Sequence, residues 1–465
     1  MSDGGQSPVK RFVRSSGIMA AYYAAAMVLA FLAGIVLTRS LGAYGYGIYS
    51  LALTTATLVG LVTEFGLPVL ALREAGSARA SGNWSTLRGL MRWADRAILA
   101  VSLLLIAGIW SAIYLSGRAN DSEFLATMLW AVALVPLVGL AKLRSSVLLA
   151  LDRVAAGQFA VMIVRPLMFL AVCFAIPAFT GGLTAATAII AQVGGALASL
   201  ALVAALYRRW RPAELSSAAP RNDVRGWLAA SVPMGVTEGL RLLQGQLALL
   251  LTGWLAGAGA AGIYRGADAV MQLATVAASV VATAATPMFA RLIGEGDREG
   301  IKRIAVLTSV IMVAGVVIVA LPIALAGDWL FPALFGQDFA ASPPVFAILA
   351  VGLVGTYSMG LAQALANMSG HHVLTTQSFL TTALCNLVLG LALIPQFGAI
   401  GAAISTAGSA IVGTAWCAWQ LAKRTGYNTT FFNRAMPGIL QGYLKAGLAV
   451  AKGGLRGDKN SGIDL

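Results

Sequence analysis

Apolar residues run along this chain in blocks of about twenty, separated by short polar stretches. A helix rises 1.5 Å per residue, so about 20 mainly apolar residues are needed to cross the hydrocarbon of a bilayer. The pattern predicts spans at roughly 17–38, 47–71, 97–116, 124–141, 156–178, 183–207, 227–252, 266–288, 304–326, 344–367, 374–394 and 398–421. Backbone groups in lipid have no water to bond, so runs of this length fold as helices. The expected fold class is an all-α integral membrane protein with about 12 transmembrane helices.

The polar stretches give the organisation. Residues 1–16 form a polar start, 17–207 a first group of six spans, 208–226 an Arg-rich linker, and 227–421 a second group of six. In the tail, 422–465, Phe432, Met436, Leu440, Tyr443 and Val450 recur at roughly helical spacing among lysines, which predicts an amphipathic helix on the membrane surface, with a thirteenth span as the alternative. Lys and Arg collect in loops on the cytoplasmic side. With both termini inside, 27 of the 32 basic residues fall on inside segments, and only Arg39, Arg118 and Arg265 fall outside. The remaining two, Arg165 and Arg241, lie within spans. The expected arrangement is multi-pass, with both termini on the cytoplasmic side of the membrane.

Composition supports this reading. The chain is 58% hydrophobic and 11% charged, with mean hydropathy +0.82, against about a quarter charged in soluble domains. The net charge of +14 reads as loop arginines fixing topology, not as a nucleic-acid surface, so no nucleic-acid partner is expected. Cys173, Cys385 and Cys417 sit in apolar runs without CxxC spacing, and the two histidines are adjacent, His371 and His372. Neither a disulfide nor a metal site is expected. The start, Met1–Arg14, leads into an apolar run too long for a cleavable leader.

An internal repeat accompanies the spans. Gly42-Ala43 followed by Gly47-Ile48-Tyr49 recurs as Gly257-Ala258 followed by Gly262-Ile263-Tyr264, an offset of 215. Ile176-Pro177-x-Phe179 recurs as Ile394-Pro395-x-Phe397, offset 218. An even number of spans per half gives both halves one orientation, related by an axis along the membrane normal.

No phosphate-cradling GxxxxGK[ST] loop, GxSxG, HExxH or paired-carboxylate loop is present. The chain is not expected to be an enzyme or to need a cofactor. The informative residues are ionisable groups inside spans, which are costly there and face a cavity or a partner. Glu64 and Arg165 lie near mid-depth. Glu238 with Arg241, and Arg265 with Asp268, are spaced three apart and share a helix face. Arg39 ends the first span. A guanidinium in a wet cavity suits phosphate oxygens, so Arg165, Arg241, Arg39 and Arg265 are candidate substrate-binding residues. Glu64, Glu238 and Asp268 are candidates for ion coupling or charge compensation, with Glu64 answering Arg165 or a coupling cation.

Several motifs resemble a known family. Arg39-x-Leu41-Gly42-x-x-x-Tyr46-Gly47-x-Tyr49 resembles the signature of the polysaccharide flippases of the multidrug/oligosaccharidyl-lipid/polysaccharide exporter superfamily. Glu64-Phe65-Gly66-Leu67-Pro68 with Arg73, Gly262-Ile263-Tyr264-x-x-Ala267, Gly294-Glu295-Gly296-Asp297 and Gly398-Ala399-Ile400-Gly401-Ala402-Ala403 resemble later landmarks of that family. Members often carry an acidic residue near the end of span 7, where Gln244-Gly245-Gln246-Leu247-Ala248 is uncharged. The resemblance covers about residues 10–422. It implies two six-helix lobes around a central cavity, and alternating access that carries an undecaprenyl-pyrophosphate-linked oligosaccharide. Membrane lipids and other polysaccharide-assembly membrane proteins are the further implied partners. Two alternatives stand beside it: a cation-coupled drug or metabolite exporter of the same superfamily, and an integral membrane glycosyltransferase or ligase.

Overall fold

The computed structural model describes residues 8–115 and 122–427, and every regular element among them is helical. The tail expected to lie on the membrane surface falls largely outside these residues. In chain order the helices begin with α1 (Pro8–Glu64), α2 (Leu67–Ser81), α3 (Trp84–Leu115), α4 (Ser122–Ala150), α5 (Val154–Phe159), α6 (Arg165–Ala175) and α7 (Pro177–Thr180). Next come α8 (Ala185–Trp210), α9 (Ala213–Ser217), α10 (Val224–Leu255), α11 (Gly257–Glu295) and α12 (Arg298–Leu325). The chain ends with α13 (Gly327–Phe335), α14 (Ser342–Ser358), α15 (Ala362–Met368), α16 (His372–Phe397) and α17 (Ala399–Thr425). Among the described residues nine helices are long and apolar enough to cross a membrane, or ten when the bent pair within α11 counts as one span. Large apolar side chains such as Leu104, Trp254, Ile318 and Val351 stand exposed, as a lipid-facing surface requires.

The count falls short of the twelve predicted spans because α1 is counted once and because α10, which carries the predicted span 227–252 with Glu238 and Arg241 inside it, is not among the helices counted. The stretch Ala21–Glu64 counts as one span of 44 residues. At 1.5 Å per residue it would reach about 66 Å, twice the hydrocarbon thickness of about 30 Å. Gly42, with φ 65° and ψ −178°, breaks it into the first two predicted spans. The second of these ends at Glu64, not at residue 71: Phe65 and Gly66 take φ 34° and 77°, and α2 begins afresh with Pro68 in its first turn. The fourth helix runs on to Ala150, past the predicted end at 141. Lys142 and Arg144 therefore belong to the helix and not to a loop, since a long basic side chain snorkels without ending the helix.

The chain divides into two compact units. The first takes residues up to 273, with 323–349 and 383–406. Its core gathers Leu70, Leu87, Leu90, Ile98, Leu143 and Trp227. The linker lies against the start of α3: Arg221 N–H donates to the Ser85 carbonyl at 3.1 Å, and Arg88 donates to the Ala218 carbonyl. Helix starts are locally specified. Thr184 and Thr187 form a reciprocal capping box at α8, and the Asp223 carboxylate accepts from Gly226 N–H at α10.

The first unit also contains the repeat, and there the two copies meet. A Cβ on Gly47 would collide with the Ala258 carbonyl and stand 3.1 Å from Gly262 N. A Cβ on Gly262 would collide with the Ala43 carbonyl and stand 3.2 Å from Gly47 N. Each glycine thus admits the backbone of the other copy. The tyrosines that follow behave alike: Gln192 donates to Tyr49 Oη at 2.8 Å across 143 positions, and Tyr264 Oη bonds Thr406 Oγ1 at 3.0 Å across 142. Reciprocal contacts at one offset are what a twofold relation between duplicated halves produces.

A clasp stands beside this seam. The Arg39 guanidinium donates to the Leu334 carbonyl at 2.9 Å and to the Ala333 carbonyl, satisfying the end of α13. In return the Asp338 carboxylate accepts from Ala43 N–H at 3.2 Å, capping the helix that restarts after Gly42.

The second unit takes residues 274–322, 350–382 and 407 onward. Phe289, Ile301, Leu365, Leu374, Cys417 and Leu421 form its core. Hydroxyl and amide bonds tie its helices together, including Ser378 Oγ to the Gly413 carbonyl at 2.8 Å and Gln363 Nε2 to Ser378 Oγ at 3.0 Å.

Candidate functional site

The first unit encloses a cavity of about 290 Å³ between the two pieces of α1, α6, α8, α10 and the start of α11. Its wall is half polar in character: Tyr46, Tyr49, Ser50, Thr54, Gln192 and Gln246 face it together with apolar Leu37 and Phe169. The polar groups hold one another in place. Thr54 Oγ1 donates to Gln246 Oε1 at 3.1 Å, and Gln192 orients Tyr49. Tyr46 and Tyr49 stack, and Tyr49 stacks in turn on Phe169.

Two arginines reach this cavity, Arg165 and Arg265. Arg265 carries its own counter-charge, with Nη1 2.9 Å from Asp268 Oδ2. Arg165 has no carboxylate within ion-pair distance among the described residues. Its placement is built locally. Residues Ala160–Val164 form a π turn closed by Arg165 N–H on the Ala160 carbonyl. Pro166 follows and lacks the donor a regular α-helix needs there, so the helix relaxes into the wider turn, a feature common at functional sites. Across from it Gly195 of α8 lets the helices close up: a Cβ there would stand 2.6 Å from the Arg165 carbonyl oxygen.

Glu64 is buried, with 7% of its surface exposed. Its direct ionic partner is Lys142, Nζ to Oε2 2.9 Å, rather than Arg165. Glu238 and Arg241 pair as their spacing predicts, Nη2 to Oε1 2.5 Å, and both remain substantially exposed. Neither lines the cavity. Arg39 spends its donors on the end of α13 and is likewise absent from the cavity wall. Of the seven candidates the structure brings Arg165 and Arg265 to one cavity, with Asp268 attached to the second.

The ionisable candidates leave out Tyr49, Gln192, Gln246 and Lys142, although Tyr49 stands in the Arg39–Tyr49 motif and Gln246 in the uncharged stretch of the seventh predicted span. Gln192 and Gln246 were visible as uncharged amides inside apolar runs, the signal that a search confined to ionisable groups discards. Lys142 stands just beyond the predicted end of its span, among the inside loop charges.

A family described as polysaccharide biosynthesis protein matches residues 12–293. The chain belongs to that family. The matched residues include the whole cavity wall. No curated protein matches the chain. Among solved structures, an inward-facing multidrug resistance MATE family transporter of the MOP superfamily is similar with a TM-score of 0.70 at 16% identity, covering 86% of this chain and 95% of that one. The lipid II flippase MurJ in an inward closed conformation gives 0.68 at 12% identity, covering 88% and 87%. A MOP superfamily transporter from Pyrococcus furiosus, described as having a binding pocket of reversed polarity, gives 0.53 at 16% identity, covering 88% and 94%. This multi-pass membrane protein has the fold of the MOP superfamily transporters and flippases.

Proposed function

We propose that this family member is a flippase that moves a lipid-linked oligosaccharide repeat unit across the bacterial inner membrane, by alternating access of lobes 17–207 and 227–421. The cargo is a sugar on undecaprenyl pyrophosphate, and both termini face the cytoplasm. The observation that carries the reading is the charge of the cavity. Arg265 is neutralised by Asp268, while Arg165 has no carboxylate within ion-pair distance among the described residues, so its guanidinium faces the cavity without a close counter-charge. A cation at this depth costs several kcal/mol unless an anion or water answers it, and a guanidinium binds phosphate oxygens through a planar fork. Hydroxyls and amides from Thr54, Gln192 and Gln246, with the stacked tyrosines, suit neutral sugar. Asp268 serves as charge compensation for Arg265, and the exposed Glu238–Arg241 pair joins neither role.

The MATE-type fold favours a second reading, export of drugs or metabolites. An arginine without a close counter-charge opposes it for cationic drugs. A deletion strain separates the two. It should accumulate lipid-linked repeat units on the cytoplasmic leaflet and lose surface polysaccharide, with unchanged tolerance to cationic drugs. Arg165→Ala should abolish complementation at normal protein level, and Arg165→Lys should restore only part. Full complementation by Arg165→Ala would overturn the assignment.

A further inference from the structure

Behind the cavity a second, much smaller space lies between α4, α8 and the π turn, lined by Val138, Ala141, Lys142, Val161, Ala196 and Ser199, and closed on one side by Arg165. Its volume is about 10 Å³, room for one water-sized occupant and no polyatomic anion. Ser199 is 1% exposed, and among the described residues its hydroxyl has no hydrogen-bond partner. A buried hydroxyl without a partner signals an ion or water that completes it. Charge decides which. Lys142 and Arg165 share one nearby carboxylate among the described residues, Glu64. It contacts Lys142 directly at 2.9 Å and acts on Arg165 only at longer range, so the surroundings carry one net positive charge. Water satisfies the hydroxyl and leaves that charge standing; a monatomic anion answers both.

We infer that this pocket binds a monatomic anion of the halide class, held by Ser199 Oγ, Lys142 Nζ and the Arg165 guanidinium. Because Arg165 faces both spaces, the ion rests on the guanidinium when no cargo is present and weakens as cargo phosphate draws the same group. That last step rests on the flippase reading; the site itself does not.

The test follows thermal unfolding of the purified full-length protein in potassium chloride, bromide or gluconate at constant ionic strength. Chloride and bromide should raise the midpoint saturably, and gluconate should not. Ser199→Val removes the donor and fills the pocket, so the half-saturating chloride concentration should rise by about tenfold or more, the worth of a hydrogen bond to a charged group. Ser102→Val, the same change at another buried hydroxyl, should leave it unmoved. Equal midpoints in chloride and gluconate, or unchanged half-saturation in Ser199→Val, overturn the site. Should the variant fail to fold, a bromide soak of wild-type crystals decides: an anomalous peak beside Ser199 supports the site and its absence overturns it. Inorganic pyrophosphate should raise half-saturating chloride in the wild type. A halide effect indifferent to pyrophosphate keeps the site and removes Arg165 from cargo binding, so the two readings fail separately.

Discussion

Gly47→Ala tests whether the seam between the repeated motifs governs the transport cycle. The added Cβ would lie 2.6 Å from the Ala258 carbonyl carbon, closer to its oxygen, and 3.1 Å from Gly262 N. Ordinary contact begins near 3.4 Å, so two backbones, neither a flexible side-chain end, must part by well over an ångström at the Ala258 carbonyl oxygen. Overpacking of this kind costs about 1–3 kcal/mol. The whole cost falls on the state in which the seam is shut. The balance between shut and open should therefore move by about 5- to 150-fold. The seam lies beside Arg39, at the helix ends that the charge pattern assigns to the outside. With Cys173, Cys385 and Cys417 removed, Thr57→Cys in the cavity wall reports opening through its labelling rate by an impermeant maleimide applied to intact cells. Gly47→Ala should raise that rate at least about fivefold, and Gly262→Ala should do the same. Combined, they should give less than the product of the two effects, because either one alone parts the same contact. An unchanged rate in a normally expressed Gly47→Ala protein, or a rise from only one of the pair, would refute the reasoning.

Three further outcomes are expected. Lys142→Met removes the direct partner of buried Glu64; because the Lys142 side chain is itself partly exposed, the loss is about 1–2 kcal/mol, below the roughly 3–5 kcal/mol of a fully buried pair. Protein abundance should fall, and Lys142→Met/Glu64→Gln should restore it; equal abundance in both single and double variants would sink the pairing. Gly195→Val forces α6 and α8 apart at the Arg165 carbonyl, so flipping should fall further than the thermal midpoint does, and retained flipping would detach the close approach from function. Reporter fusions at Gly182 and Gly336 should read extracytoplasmic and those at Gly82 and Ser216 cytoplasmic, with two reversals enough to discard the topology.

Much of the helical architecture was legible because lipid imposes one rule on every span. Runs such as 374–394 and 398–421 became helices His372–Phe397 and Ala399–Thr425 with ends within a few residues. Boundaries failed where backbone conformation, not apolarity, sets them: Phe65-Gly66 turns the chain inside an apolar run, and Lys142 sits inside a helix despite its charge. The site was legible in part. Arg165 stood out as an intramembrane charge without a sequence neighbour to pair with, and i,i+3 spacing gave both close ion pairs. The Glu64–Lys142 bond joins residues 78 positions apart, and no local pattern announces such a partner.

The glycine seam has the symmetry of a contact between two like pieces. An interface in which one piece touches the second as the second touches the first is the isologous contact of two identical subunits about a twofold axis. Here both pieces belong to a single polypeptide, with Ala43 and Gly47 set against Ala258 and Gly262. The seam thus has the form of a homodimer interface carried within one polypeptide. The Arg165 side of the molecule departs from that symmetry, since the position one repeat later, at the offset of 218 set by the neighbouring Ile176-Pro177 motif, holds Ala383: one half carries a guanidinium at this place and the other carries none.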